Sequence, residues 1–155
     1  MSKTPSTAAL LHVALQDLHA GKLLLRDRLP ALAQAVTDAE LVRLIEADVS
    51  RAGDQAERLG AVAADLAGPK NIWMGGILDD AERDARSHQP GPVLDIALIG
   101  AIRKAKAAEI VSNDTAIALA RNGGQEAILG AVNANREEEI AVDRALRDRL
   151  DALTA

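Results

Sequence analysis

Charged residues stand at positions of this chain where apolar ones are expected: Lys22, Arg51 and Lys106 on one side, Asp48, Glu109, Glu138 and Glu139 on the other. A charge taken out of water must find an opposite charge or a ligand, because burial alone strongly penalises it. The chemistry such residues offer is ion pairing inside a protein core. Lys22 makes the case most plainly. Leucines at 11, 15, 18, 25, 29 and 32 and a valine at 36 recur in steps of four and three, the mark of one helix face. Position 22 completes that series with an ammonium. The rival phase through 10, 14, 17, 21, 24 and 28 reads Leu, Ala, Asp, Gly, Leu, Arg, a poorer core face, so the lysine and not the register is the anomaly.

Three further seams are interrupted in the same way. Positions 41, 45, 48, 52, 55, 59 and 62 read Leu, Ile, Asp, Ala, Gln, Leu, Val, with Asp48 and Gln55 breaking the row and Arg51 at its margin. Leu98, Ile102 and Ala105 lead to Glu109, with Lys106 one turn beyond Ile102. Ile128, Val132, Asn135, Glu139, Val142 and Leu146 place Glu139 on the last seam and Glu138 beside it. A single lysine can snorkel and a single edge glutamate can face water. Four interruptions at similar depth predict instead a polar layer across a bundle, in which Lys22, Arg51 and Lys106 face Glu109, Glu138 or Glu139, with Asp80 a further acid.

The elements that must position this layer are helices. Long helices are predicted over 7–36, 37–66, 93–122 and 125–153, and a short one over 72–87. Pro30 is expected to bend the first, since it lacks an amide proton. "TDAE" at Thr37–Glu40 reads as a capping box that starts the second. Gly68 and Pro69 end it. Gly75 and Gly76 predict an irregular start to the short segment, and Gly123 and Gly124 a left-handed turn closing the fourth helix. No strand period appears. The expected architecture is all-α: one domain, 1–155, a four-helix bundle with an additional short crossover helix.

Composition excludes several functions. The chain has 155 residues, no cysteine, one tryptophan, no tyrosine or phenylalanine, and a formal net charge of −5. Thiol catalysis, disulfides and thiolate metal sites are excluded. Interspersed charge without a basic stripe, and almost no aromatic surface for stacking, argue against a nucleic-acid partner. No segment approaches the roughly twenty apolar residues a membrane span needs, and "MSKTPSTAAL" has no apolar run of the signal-peptide kind. A cytoplasmic location without a membrane partner is expected. Leu10, Leu23, Leu24 and Ala31 form a second apolar strip on the first helix, which suggests a homodimer.

"LHAGKLLLRDRLPALAQA", "QAERL", "WMGGILDDA", "DIALIGAIRKAKAAEI" and "EEEIAVD" occur in this order and spacing. With them the sequence resembles the YciE/YciF-like ferritin-like family, small bacterial proteins linked to stress responses, whose helices carry carboxylates around a di-metal centre. The resemblance covers nearly the whole chain and implies a ferritin-like fold, and it also favours a homodimer. Its metal ligands do not carry over. Lys22 and Arg51 stand where the family has glutamates, and Lys106 and Ala107 replace a glutamate and a histidine. Glu109 is kept; Asp80, Gln55, Glu138, Glu139 and Asp143 match acidic or amide positions. No Glu-x-x-His occurs, since His12, His19 and His88 follow Ala9, Gln16 and Ala85 by three residues. The expectation is a non-enzymatic, stress-associated structural or binding protein with no catalytic residue and no cofactor, in which a Lys/Arg–carboxylate layer replaces the di-metal centre. The alternative is a metal-binding protein or oxidase with Fe or Mn on Asp80, Glu109, Glu138, Glu139 and Asp143. A third reading admits a small anion between Lys22, Arg51 and Lys106. Ser50, Ser87 and Ser112 have no ordered base beside them, so a nucleophilic hydrolase is not supported, and Trp73 reads as an apolar plug.

Overall fold

A computed structural model describes residues 3–155. They form five α-helices: α1 Thr7–Ala35, α2 Ala39–Val62, α3 Ile72–Ser87, α4 Pro92–Asn122 and α5 Glu126–Thr154. No strand occurs among the described residues. The long helices pair as two hairpins, α1 with α2 and α4 with α5, and α3 packs on α1 and α4 as the crossover. The fold is the ferritin-like four-helix bundle with one short extra helix.

The seams drive this assembly. Leu11, Leu15, Leu18, Leu25, Leu29 and Leu32 are all buried on α1, on one face of the helix. The apolar residues do not fuse into one core. One cluster gathers Leu25, Leu29, Leu32, Leu41, Ile45, Leu98, Ile102, Val142 and Leu146, together with Met74, Leu78 and Ala81 from α3. A second gathers Leu11, Leu15, Leu18, Leu59, Leu66, Ala116, Ile117 and Val132. Helices α1 and α5 therefore run from the second core to the first, and α2 and α4 run the other way.

The helix ends show where side-chain chemistry departs from the sequence pattern. The "TDAE" capping box does not form. Asp38 is the N-cap of α2, accepting from the Leu41 amide at 2.8 Å, and Glu40 pairs with Arg43. Thr37 is claimed by Asp95, a buried carboxylate in the first turn of α4. Asp95 accepts from the Thr37 amide at 2.9 Å, the Thr37 hydroxyl at 2.8 Å and the Asp38 amide at 3.0 Å, and so ties the α1–α2 turn to the second hairpin. Nor is α3 irregular at its start. The Asn71 side chain accepts from the Met74 amide and caps the helix, and the buried Met74–Leu78–Ala81 face outweighs the low helix propensity of Gly75 and Gly76. Helix α2 ends at Val62 and not near 66; Leu66 instead plugs the second core from the loop, which Gln16 holds by donating to the Asp65 and Ala67 carbonyls. Of the two glycines after α4, only Gly124 takes positive φ, at 65°. On α1, Leu10 stays exposed at 44%, while Leu24 packs on the first core.

Replacing Asp95 leaves three donors without their acceptor, and an unsatisfied buried group costs about 1–3 kcal/mol. Asp95→Ala is expected to lower the stability measured by urea unfolding by at least that amount. An unchanged midpoint would show that the turn does not depend on this carboxylate.

Candidate functional site: a buried ion layer between two cores

The two apolar cores are separated by a layer to which every long helix contributes. Lys22 comes from α1, Asp48 from α2, Lys106 and Glu109 from α4, and Glu139 from α5; none is more than 2% exposed. The Lys22 ammonium lies 2.5 Å from Glu109 Oε1 and 3.1 Å from Glu139 Oε1. Lys106 Nζ lies 2.8 Å from Asp48 Oδ2, 3.1 Å from Glu109 Oε2 and 2.8 Å from Glu139 Oε2. Glu109 and Glu139 thus bridge the two ammoniums, one oxygen to each. Lys22 reaches its partners because the seam aims it inward between Leu18 and Leu25, one turn to either side.

Two ammoniums face three carboxyls, so full ionisation would leave an unbalanced negative charge inside the bundle. Protonation of one acid removes it. Burial pushes Glu109 up to about 7, against the pull of Lys106 and Lys22. Burial also works against ionised Glu139, but there the charges of Lys106 and Lys22 prevail and hold it below the usual carboxylate range. Burial would lower Lys106, yet Asp48, Glu109 and Glu139 keep it well above its ordinary value. The Glu109–Glu139 pair therefore shares one proton up to near neutral pH while Lys106 stays charged.

Six of the eight residues expected in the layer are fully buried: Lys22, Asp48, Lys106, Glu109 and Glu139 in the ion layer, and Gln55 about two turns beyond Asp48. Arg51 and Glu138 lie outside. Each is the chain neighbour of a buried residue, Ala52 or Glu139, and one residue turns a helix by about 100°. That rotation brings both to the α2–α5 edge, where their side chains are 34% and 30% exposed and 3.6 Å apart. The close partner of Glu138 is Arg58, which also donates to Asn135 Oδ1 at 2.6 Å. Arg58 was legible as the residue seven positions after Arg51 on the same edge. Asn113 is a further fully buried polar residue, four residues beyond Glu109, whose carbonyl accepts from Asn113 Nδ2 at 2.9 Å.

The acids of the alternative metal set do not converge. Asp80 pairs with Arg83 along α3, and Asp143 pairs with Arg103 at 2.8 Å. Only Glu109 and Glu139 of that set belong to the layer. A di-metal centre needs about four carboxylates and two histidines, with room between them for two cations. Here the space between the carboxylates is filled by two lysine ammoniums; of the histidines, His88 turns back onto the Asp84 carbonyl, His12 borders a cleft at the far end of the second core, and His19 is half-buried under the influence of Arg26. The donor set does not fit the metals. Nor do the three cations form an anion site, because Lys22 and Lys106 are each taken by carboxylates.

Fold and layer together define a ferritin-like bundle in which lysines occupy the centre. The chain belongs to the DUF892 family, described as a domain of unknown function, whose model matches residues 6–155. Protein YciF of Escherichia coli K12 is 28% identical over 139 residues, covering 86% of this chain and 84% of YciF. The crystal structure of the E. coli stress protein YciF superposes with a TM-score of 0.92 at 25% identity, over 96% of this chain and 97% of that one. YcfI of Rhodopseudomonas palustris, described as a candidate structural protein, shares the fold with a TM-score of 0.90 at 23% identity, over 94% and 95% of the two chains.

The shared proton gives a pH dependence of definite sign. Between about 4.5, its ordinary value, and about 7, Glu109 is protonated in the fold and ionised in the unfolded chain. The native state binds the extra proton, so this group makes stability fall as pH rises through that window. His19, lowered first by burial and then by Arg26, acts with the opposite sign. Glu109→Gln, which imitates the protonated acid, isolates the carboxyl. Urea midpoints of wild type and Glu109→Gln at pH 5 and pH 8 are expected to show the wild type losing more stability across the interval; equal losses would remove the shared proton from the account.

Proposed function

We propose that this chain is a non-enzymatic, stress-associated structural protein in which Lys22, Lys106 and their three carboxyl partners take the place of a di-metal centre. The observation that carries the reading is the complete burial of both ammoniums, each against at least two carboxylates. An internal cation needs no loading and turns over no electrons. The layer contributes definition instead: four helices must stop in one register for Lys22 and Lys106 to meet their partners, and a slip of one turn would strand a charge in hydrocarbon. The name of YciF as a stress protein supports the stress association, and the description of YcfI agrees with a structural role. The reading includes a cytoplasmic homodimer. Among the described residues no helix is long and apolar enough to cross a membrane.

A metal-handling protein with Fe or Mn is the competing reading, and uptake separates the two. Elemental analysis of the purified protein, followed by anaerobic titration with ferrous iron and manganese, is expected to give no stoichiometric binding and a melting temperature that neither metal changes. One or two equivalents bound by the wild type and lost in Glu109→Ala would overturn the structural reading.

A further inference from the structure

Beside the ion layer lies a second polar tier that ion pairing does not explain. Gln55, Asn113 and Asn135 are all 0% exposed. Helices α2 and α4 run parallel, and Asp48 of one meets Lys106 of the other. Gln55 and Asn113 each stand seven residues further on, about 10 Å along their axes, so they lie at one level. Asn135 lies one turn from Glu139 in the same direction, on antiparallel α5.

The hydrogen bonds of this tier are incomplete. Neither Gln55 Oε1 nor Gln55 Nε2 has a partner among the described residues, so exchanging the two ends of the amide would change nothing. Asn113 Oδ1, Asn135 Nδ2 and Asp48 Oδ1 are likewise unpartnered. Asn113 and Asn135 cannot turn over to compensate. Asn113 Nδ2 is engaged with the Glu109 carbonyl at 2.9 Å, and Asn135 Oδ1 accepts from Arg58 Nη1 at 2.6 Å. Buried polar groups in folded proteins find partners as a rule, and each one costs stability when it does not.

The unmet atoms describe what they bind. Asp48, Gln55 and Asn113 offer acceptors, while Gln55 and Asn135 offer amide donors. A metal cation satisfies only the acceptors, and a halide only the donors. The occupant must donate and accept, carry no charge into this core, and be small. We propose that Gln55, Asn113 and Asn135, with Asp48 at their edge, form a buried binding site for water, which exchanges with solvent along the Arg58–Glu138 edge. Arg58 bonds both Asn135 and Glu138 and is 35% exposed, so the tier reaches the surface through one side chain. Water held in a protein interior makes two to four polar contacts, and Gln55, Asn113 and Asn135 offer four unmet atoms.

The test uses the native protein and one near-isosteric variant. In the wild type, NMR magnetisation transfer from water is expected to reach the Gln55 and Asn135 side-chain amides with the sign of a long-lived bound molecule, and Gln55→Met is expected to lower the melting temperature. A Gln55 amide that binds nothing would give the reverse: no transfer, and a higher melting temperature in Gln55→Met, because an unsatisfied amide has been replaced by apolar surface. Where the variant does not fold, the wild-type transfer decides, and its absence overturns the proposal.

Discussion

The Lys106 ammonium, held among Asp48, Glu109 and Glu139 with no access to water, is the constraint around which the bundle is organised. In a medium of low dielectric a lone ammonium costs far more than one paired with carboxylates. Each partner comes from a fixed point on α2, α4 or α5, and Lys22 adds α1 through Glu109 and Glu139. The layer therefore defines the axial register of all four long helices. Apolar contacts cannot do this alone, since leucine seams tolerate a slip of one turn with modest repacking. The division of the interior into two apolar clusters is the consequence.

Charge balance explains the composition of the layer better than pair counting does. Three carboxyls for two ammoniums leave an excess that one proton removes, and the proton resides on the pair that bridges both lysines. Outside the layer the ion pairs are of another kind. Arg103–Asp143, Arg28–Glu82 and Arg51–Glu138 are partly solvated, and such pairs contribute little individually. Asp38 is the exception among them, because it caps α2 and accepts from Arg149 at 2.8 Å, which keeps its carboxyl below the ordinary value.

Much of this was legible in the sequence. An otherwise apolar seam on each helix makes a polar residue on it conspicuous, which is how Lys22, Asp48, Gln55, Lys106, Glu109 and Glu139 are placed in the core from sequence. The errors have separate physical origins. Arg51 and Glu138 sit one residue off a seam, and seam periodicity cannot decide whether such a margin faces core or solvent. Asp80, offered as a further acid of the layer and as a family match, and Asp143, a family match, are taken instead by Arg83 and Arg103. Thr37 and Glu40 had the local pattern of a cap. A long-range acceptor, Asp95, fifty-eight residues away, competed for the threonine. Local rules hold until a buried group from another helix offers a better bond.

The central claim is that Lys22 and the carboxylates act as one mutually dependent unit and not as separately tolerated polar residues. A double-mutant cycle over Lys22→Leu and Glu109→Leu, read by equilibrium urea unfolding at pH 8, where Glu109 is ionised, tests it most directly. Breaking a buried pair costs about 3–5 kcal/mol, whereas removing both charges for apolar groups costs far less. The account predicts two strongly destabilised single variants and a double variant more stable than the sum of their losses by more than about 1 kcal/mol. Additive losses would contradict it and leave the layer without an energetic role.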